Sequence, residues 1–180
     1  VYDPNGIDLA LMKEIKEVKR QRISEYAKAR AGVTYTEGCR NIWTIKCDIA
    51  LPCATQNELD LEDAKMLVAN GVKSVTEGAN MPTTNEALEY LQEQGIVVGP
   101  AKAANAGGVA CSCIEMGQNA SHTVYQHQDV YDQLHQIMVN IHKACKEASE
   151  KYYGKYDLVK GANIAGFEKV AEAMMGQGLV

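Results

Sequence analysis

Three asparagines that could hold a polar ligand recur in turns that follow short apolar segments. Asn57, Asn80 and Asn105 each lie a few residues beyond such a segment, with alanines or glycines nearby. An asparagine amide both donates and accepts hydrogen bonds, and small neighbours let ligand and backbone approach closely. Any one asparagine could be an ordinary turn residue. Three in equivalent turns favour a site for hydroxyl and carboxamide groups, such as the ribose and nicotinamide of a dinucleotide.

The three turns are predicted to meet at one edge of a sheet. Residues 48–51, 72–76 and 96–98 are predicted strands, each followed by a helical segment. Such alternation produces parallel strands with right-handed crossovers, and open sheets of this kind bind ligands beyond the carboxyl ends of their strands. We therefore predict an α/β fold with a Rossmann-like parallel sheet. Gly107 and Gly108 are predicted to open the helix after the third strand, with N–H groups free for an anion.

Both ends of the chain show helical periodicity. Apolar residues at spacings of three and four from Leu11 to Ala27 predict one long helix, capped by Asp8 and ended by Gly32. After about Ser121 the pattern is helical only, with a polar, tyrosine-rich turn before the last helix. The sheet is thus expected to be followed by long C-terminal helices.

Composition argues against several classes of function. The net charge of −5, from 18 basic and 23 acidic residues, disfavours nucleic acid as a partner. No apolar run is long enough to span a bilayer. The six cysteines form no Cys-x-x-Cys pair, so we expect no metal site and reduced thiols in the cytoplasm. No Gly-x-Gly-x-x-Gly motif occurs, and we expect the phosphate-binding loop of a dinucleotide fold upstream of Val1.

Four segments resemble the small hexameric glutamate dehydrogenases. They read DIALPCATQNEL at 48–59, EGANMPTT at 77–84, KAANAGGV at 102–109 and GANIAGF at 161–167. The resemblance covers essentially the whole chain. It implies an enzyme that interconverts L-glutamate with 2-oxoglutarate and ammonium. NADP is the expected cofactor, because members of this type commonly use it, and NAD is the alternative.

The resemblance also implies roles for single positions. Four residues match positions beside the nicotinamide and its ribose: Ala54, Thr55, Asn80 and Asn105. Val109 and Ser112 match positions in the substrate side-chain pocket, where the serine hydroxyl would bond the distal carboxylate. A buried hydroxyl that pairs with a carboxylate discriminates strongly against substrates that lack it.

The same resemblance implies that the chain is a C-terminal piece. Residues 1–156 would be the C-terminal part of the dinucleotide-binding domain, and residues 157–180 a helix that packs on an absent substrate domain. The catalytic lysine and aspartate are expected in that absent domain, so no catalytic residue is assigned here. We expect the chain alone to be inactive, and the full-length protein to be a homo-hexamer.

Two alternatives stay open at this point. The protein could be another amino-acid dehydrogenase of the same superfamily, although Ser112 favours glutamate because apolar substrates need no polar group there. It could also be a stand-alone nucleotide-binding module without activity.

Overall fold

The computed structural model describes residues 1–178, which form two compact units divided after Asn41. The first unit contains α1 (Leu9–Lys13), a π-helical turn (Glu14–Val18) and α2 (Ser24–Ala29). The single long helix predicted here is wrong, because the backbone turns at Arg20 with a φ of +52°. The predicted cap is confirmed, since the Asp8 side chain accepts a hydrogen bond from the third residue of α1.

A polar network organises the first unit. The carboxylate of Asp3 is only 8% exposed, accepts a hydrogen bond from the Tyr26 hydroxyl at 3.0 Å, and lies 2.7 Å from Nε of Arg30. The same hydroxyl accepts the N–H of Asp8 at 2.8 Å. A buried carboxylate is tolerated when it is paired in this way. The unit is thus organised by polar contacts, and the apolar periodicity does not form one continuous buried face. Val18, for example, is 76% exposed.

The second unit, which begins at Ile42, contains a parallel sheet with strand order β1-β2-β3. Its first elements are β1 (Ile49–Ala50), α3 (Leu61–Ala69), β2 (Ser74–Thr76), α4 (Asn85–Glu93) and β3 (Val97–Gly99). Each strand is followed by a helix, so the predicted α/β class with parallel strands is confirmed. β1 is buried on one side only, since Ile49 is 59% exposed, and the fully buried strand expected there is not found.

Capping residues fix the starts of the two crossover helices. Asp60 accepts hydrogen bonds from the first turn of α3, and the Asp63 carboxylate accepts the backbone N–H of Asp60 in a capping box. Thr84 accepts the N–H of Ala87 at the start of α4. The helices pack on a core formed by Trp43, Ala50, Leu59, Ala64, Leu67, Val72, Val75, Ala87, Leu91 and Val98. Burial of this cluster fixes the strand ends that carry the candidate site.

Four helices follow the sheet. They are α5 (Ala101–Ala104), α6 (Ala106–Ser121), α7 (His127–Tyr153) and α8 (Leu158–Gln177). α7 and α8 pack against each other and touch where Gly161 meets the backbone of Cys145. The predicted long C-terminal helices are therefore confirmed.

The last helix lies in the same compact unit as the sheet. α8 packs along α7, and its outward side exposes Phe167, Val170 and Met174. The idea that residues 157–180 pack on a further domain stays a prediction, and residues 179 and 180 lie outside the described part. Across residues 1–178, no helix combines the length and apolar character needed to cross a bilayer.

All six cysteines are free thiols in this structure. Cys145 is only 5% exposed, and burial raises the pKa of its thiol. The pKa of Cys47 is also raised, first by burial and then by the neighbouring Asp48 carboxylate. In the part of the chain that the structure describes, no three His, Cys, Asp or Glu side chains are grouped to hold a metal ion.

Alkylation rates should separate these thiols. A thiol whose pKa is raised is less often the reactive thiolate at a given pH, so iodoacetamide should modify Cys145 at least about tenfold more slowly than exposed Cys39. Pulsed alkylation followed by peptide mass spectrometry measures both rates, and they should converge in urea. Equal rates in the folded chain would contradict the packing of α7 described above.

Candidate functional site

Two of the three turn asparagines are in direct contact. Nδ2 of Asn105 donates to Oδ1 of Asn80 at 2.6 Å and to the carbonyl oxygen of Ala79 at 3.2 Å. Asn80 lies in the turn after β2, and Asn105 occupies the single-residue junction between α5 and α6. The expectation that these turns meet at the carboxyl edge of the sheet is thus confirmed for this pair.

The turn after β1 lies against the turn after β2. The carbonyl oxygen of Pro52 accepts the N–H groups of Gly78 at 2.9 Å and Ala79 at 3.1 Å. A Cβ on Gly78 would lie 2.4 Å from Sγ of Cys53, closer than van der Waals contact allows. Glycine at 78 therefore permits the approach of the two turns, and brings the segment with Ala54 beside the Asn80–Asn105 pair.

Backbone hydrogen bonds in the turn after β1 determine which of its groups are available to a ligand. The N–H groups of Ala54 and Thr55 donate to Oε1 of Glu58 at 2.8 and 3.3 Å. They are therefore already paired and do not form an anion site. Both residues are exposed, so they can line a ligand with the Ala54 methyl and the Thr55 hydroxyl. Such a surface suits a sugar better than a phosphate.

Asn57, the third turn asparagine, is not part of the Asn80–Asn105 contact. It adopts the left-handed conformation with a φ of +55°, and its N–H donates to the carbonyl oxygen of Met81 at 2.9 Å. Asparagine is one of the few residues that tolerates this backbone region. The ordinary turn interpretation therefore accounts for Asn57, while the ligand interpretation stays with Asn80 and Asn105.

Gly107 and Gly108 lie in the first turn of α6, but the N–H of Gly108 is not free as expected. α6 begins one residue earlier, directly after α5, and the Gly108 N–H donates to the carbonyl oxygen of Asn105 at 3.2 Å. Its N–H is therefore not free for an anion. A Cβ on Gly107 would lie 3.6 Å from Leu134 and Met138 of α7. Gly107 therefore faces α7, at a distance where an alanine methyl would make ordinary van der Waals contact.

Val109 and Ser112 lie further along α6 on exposed surface. Val109 is 66% exposed, and the Ser112 hydroxyl donates within the helix to the Gly108 carbonyl oxygen at 3.3 Å. Ser112 is two helical turns from Asn105, about 10 Å along the axis. It lines an open groove of about 430 Å³ with Glu115, Met116, Gln118, Asn119, His122 and Thr123. The groove does not include Val109.

Sequence reasoning missed Glu77. This residue follows β2 directly, is 5% exposed, and its Oε2 accepts the N–H of Ala101 at 2.7 Å. A charged residue immediately after a buried strand was the available signal, because burial there requires a partner. Lys102, by contrast, donates to Oδ1 of Asn163 on α8, which is a structural link between helices.

Known proteins resemble the chain over its whole length. The sequence model of the glutamate/leucine/phenylalanine/valine dehydrogenase family matches residues 1–178. The chain is 53% identical to the NADP-specific glutamate dehydrogenase of Escherichia coli over 184 residues, and 51% identical to that of Haemophilus influenzae over 183 residues. These matches cover 99–100% of the chain but 40% of each relative. The chain therefore spans about 40% of the length of these curated relatives.

Solved structures give the same result for the fold. Plasmodium falciparum glutamate dehydrogenase superposes with a TM-score of 0.91 at 44% identity, covering 99% of this chain and 39% of that one. The L-tryptophan dehydrogenase of Nostoc punctiforme shares the fold alone, with a TM-score of 0.60 at 23% identity over 82% of this chain and 42% of that one. The resemblance inferred from the four sequence segments is confirmed. The chain belongs to the glutamate/leucine/phenylalanine/valine dehydrogenase family.

Proposed function

We propose that the chain is the nicotinamide-side part of a glutamate dehydrogenase, which interconverts L-glutamate with 2-oxoglutarate and ammonium. The observation that carries this proposal is the contact between Nδ2 of Asn105 and Oδ1 of Asn80 at the carboxyl edge of the sheet. Relatives named as NADP-specific glutamate dehydrogenases, about 50% identical to the chain, support the choice of reaction.

The donors and acceptors at this edge fit the nicotinamide half of a dinucleotide. Among the described residues, the Asn80–Asn105 contact leaves Nδ2 of Asn80 and Oδ1 of Asn105 without a hydrogen-bond partner. One free donor and one free acceptor, side by side, complement a carboxamide or a pair of sugar hydroxyls. Ala54 and Thr55 would line the ribose in the neighbouring turn. When bound, the nicotinamide supplies the hydride acceptor or donor of the reaction.

Ser112 is the residue that we propose for substrate recognition. Its hydroxyl has only an intrahelical partner, at 3.3 Å, and can rotate toward a carboxylate in the groove. A hydrogen bond to a charged acceptor is stronger than the one it would replace. Val109, one helical turn closer to Asn105, would contact the aliphatic part of the substrate. Together these residues would orient glutamate with its reacting carbon toward Asn105.

Further parts of the proposal concern the whole protein. We propose NADP as the cofactor, in line with the names of the bacterial relatives, one of which is called NAD(P)-specific. Six free thiols support a reducing cytoplasm as the compartment. A homo-hexamer is proposed from the family resemblance. No lysine–aspartate pair is assigned to proton transfer within this chain, so we expect the chain alone not to turn over glutamate.

Replacing Asn105 by alanine tests the proposed cofactor site. The change removes the amide that donates to Asn80 and Ala79, and should weaken binding of nicotinamide mononucleotide about tenfold, the loss expected for one or two hydrogen bonds. We would titrate the ¹⁵N-labelled chain and follow the side-chain amide resonances of Asn80. Nicotinamide mononucleotide is the suitable probe because it contains the nicotinamide and ribose groups that the proposed site would bind.

The matched control is Asn140→Ala, which removes an asparagine from the exposed side of α7, where it accepts a hydrogen bond from Gln136. Binding to this variant should equal that of the wild type. The proposed site is wrong if the nucleotide shifts no resonance near Asn80 and Asn105, or if Asn105→Ala binds it as well as Asn140→Ala does.

A further inference from the structure

Asn80 and Asn105 belong to different turns. Their separation therefore depends on contacts that hold the two turns in place. Asn105 follows the four-residue helix α5, and isolated helical segments of that length have no stability of their own. Its position must therefore come from contacts with neighbouring structure. The start of α5 provides one such contact, since the Ala101 N–H donates to the buried carboxylate of Glu77 at 2.7 Å.

Glu77 is itself held firmly in the sheet. It follows the last residue of β2, and its N–H donates to the carbonyl oxygen of Gly99, the last residue of β3, at 2.9 Å. Its side chain is 5% exposed. A carboxylate in such a place is costly unless it is paired, and a hydrogen bond that involves an ionised group is about twice as strong as a neutral one. The carboxylate is therefore a strong anchor for the first residue of α5.

The contacts form a closed circuit of hydrogen bonds. Glu77 accepts the Ala101 N–H at 2.7 Å, and the Ala101 carbonyl oxygen accepts the Asn105 N–H at 2.9 Å. The Asn105 side chain then donates to Asn80 at 2.6 Å. The backbone of Gly78 and Ala79 links Asn80 to Glu77 and closes the ring. The Asn105 side chain also donates to the carbonyl oxygen of Ala79 at 3.2 Å, so loss of the Glu77–Ala101 bond should shift Asn105 relative to Asn80 without releasing it.

We propose that Glu77 is a positioning residue for the nicotinamide site: through the Ala101 N–H it sets the separation and orientation of the Asn80–Asn105 pair. Glu77 reaches no ligand itself and takes no part in chemistry. The inference rests on the proposed function for its ligand, but the circuit of contacts stands independently of the reaction. The proposal adds Glu77 to the residues that shape the site.

Ala101→Pro isolates the decisive hydrogen bond. Proline removes the N–H that Glu77 accepts, and it is well tolerated at the first position of a helix. The preceding Pro100 has φ −70° and ψ 145°, the extended conformation that a residue before proline adopts. Asn85→Pro is the matched control, because Asn85 is the first residue of α4 and follows Thr84 at φ −67° and ψ 155°.

The readouts are the side-chain amide resonances of Asn80 and Asn105 in the ¹⁵N-labelled chain, and the affinity for nicotinamide mononucleotide. In Ala101→Pro we expect both asparagine resonances to move toward the values of exposed Asn140, and the affinity to fall about tenfold. Asn85→Pro should change neither. Glu77→Gln retains an acceptor oxygen and should keep the affinity within about threefold of wild type, whereas Glu77→Ala should lose as much as Ala101→Pro.

The proposal is overturned if folded Ala101→Pro keeps the wild-type resonances and affinity. If that variant does not fold, Glu77→Asp carries the test, because its carboxylate is one methylene shorter and cannot reach Ala101 without movement. Unchanged Asn105 resonances in Glu77→Asp would equally overturn it. A wild-type chain that binds no nicotinamide mononucleotide would refute the proposed cofactor role, while the amide resonances would still decide the role of Glu77.

Discussion

Replacing Gly161 by alanine should destabilise the chain by about 3 kcal/mol, the upper part of the range for overpacking a buried contact. A Cβ at this position would lie 1.9 Å from the carbonyl oxygen of Cys145 and 2.8 Å from its carbonyl carbon. Both atoms belong to the backbone of α7, so no side-chain rotation relieves the overlap. α7 and α8 would have to separate, disturbing Ser149, which is fully buried and accepts the Asp157 N–H at 2.9 Å.

Urea denaturation followed by circular dichroism measures the change in the free energy of unfolding. Gly166→Ala in the same helix is the control, because a Cβ there meets no heavy atom within 4 Å. Alanine is a better helix former than glycine, so this control should be neutral or stabilising by up to about 1 kcal/mol. Equal midpoints for the two variants would contradict the close approach of α7 and α8.

Replacing Ser112 by alanine should reduce the use of glutamate about 10- to 100-fold in kcat/KM, the loss expected when a hydrogen bond to a charged group is removed. The measurement needs an enzyme that includes the upstream domain. A chimera supplies it, in which this chain replaces the matched C-terminal 40% of the Escherichia coli relative. Ser112 lines the groove beside α6 and has only an intrahelical hydrogen bond, so the substrate carboxylate is the acceptor that we propose for it.

The control for this prediction is Ser121→Ala, at the last residue of the same helix, where the hydroxyl contacts the carbonyl oxygen of Gly117 at 2.8 Å. That variant should keep its activity. An unchanged kcat/KM for glutamate in Ser112→Ala would remove the basis for preferring glutamate over the apolar amino acids that other family members use.

Much of the fold could be predicted because local signals agreed with the tertiary structure. Aspartate and threonine are residue types that favour the N-cap position, and Asp60 and Thr84 both accept hydrogen bonds from the first turns of their helices. The alternation of strands and helices placed the turns with Asn80 and Asn105 at one edge. Their contact follows from that topology, because parallel strands bring successive carboxyl ends together.

Other features depended on contacts that no local pattern reveals. The apolar periodicity of the N-terminal segment predicts one helix, yet the helix is interrupted at Arg20. This segment lies in a unit organised by the buried Asp3 carboxylate. Gly107 was interpreted as a place for a ligand to approach, but its neighbours are side chains of α7. A glycine permits either kind of approach, so its partner is decided by packing alone.

The contact made by Glu77 could not be predicted from the sequence either. Its partner Ala101 is 24 residues away, and alanine gives no sign in the sequence that its N–H has a special acceptor. The match to the family motif included Glu77 without giving it a role. The role that we propose for it rests on the burial of the carboxylate and on the hydrogen bonds that connect it to Asn105.

The most direct test of the central claim is the activity of the chimera that joins this chain to the upstream part of the Escherichia coli NADP-specific glutamate dehydrogenase. We expect oxidation of NADPH that requires both 2-oxoglutarate and ammonium, with at least a tenfold preference over the oxo acids of leucine and valine. A folded chimera that oxidises NADPH with those apolar oxo acids instead, or with no oxo acid at all, would contradict the assignment of this chain to glutamate.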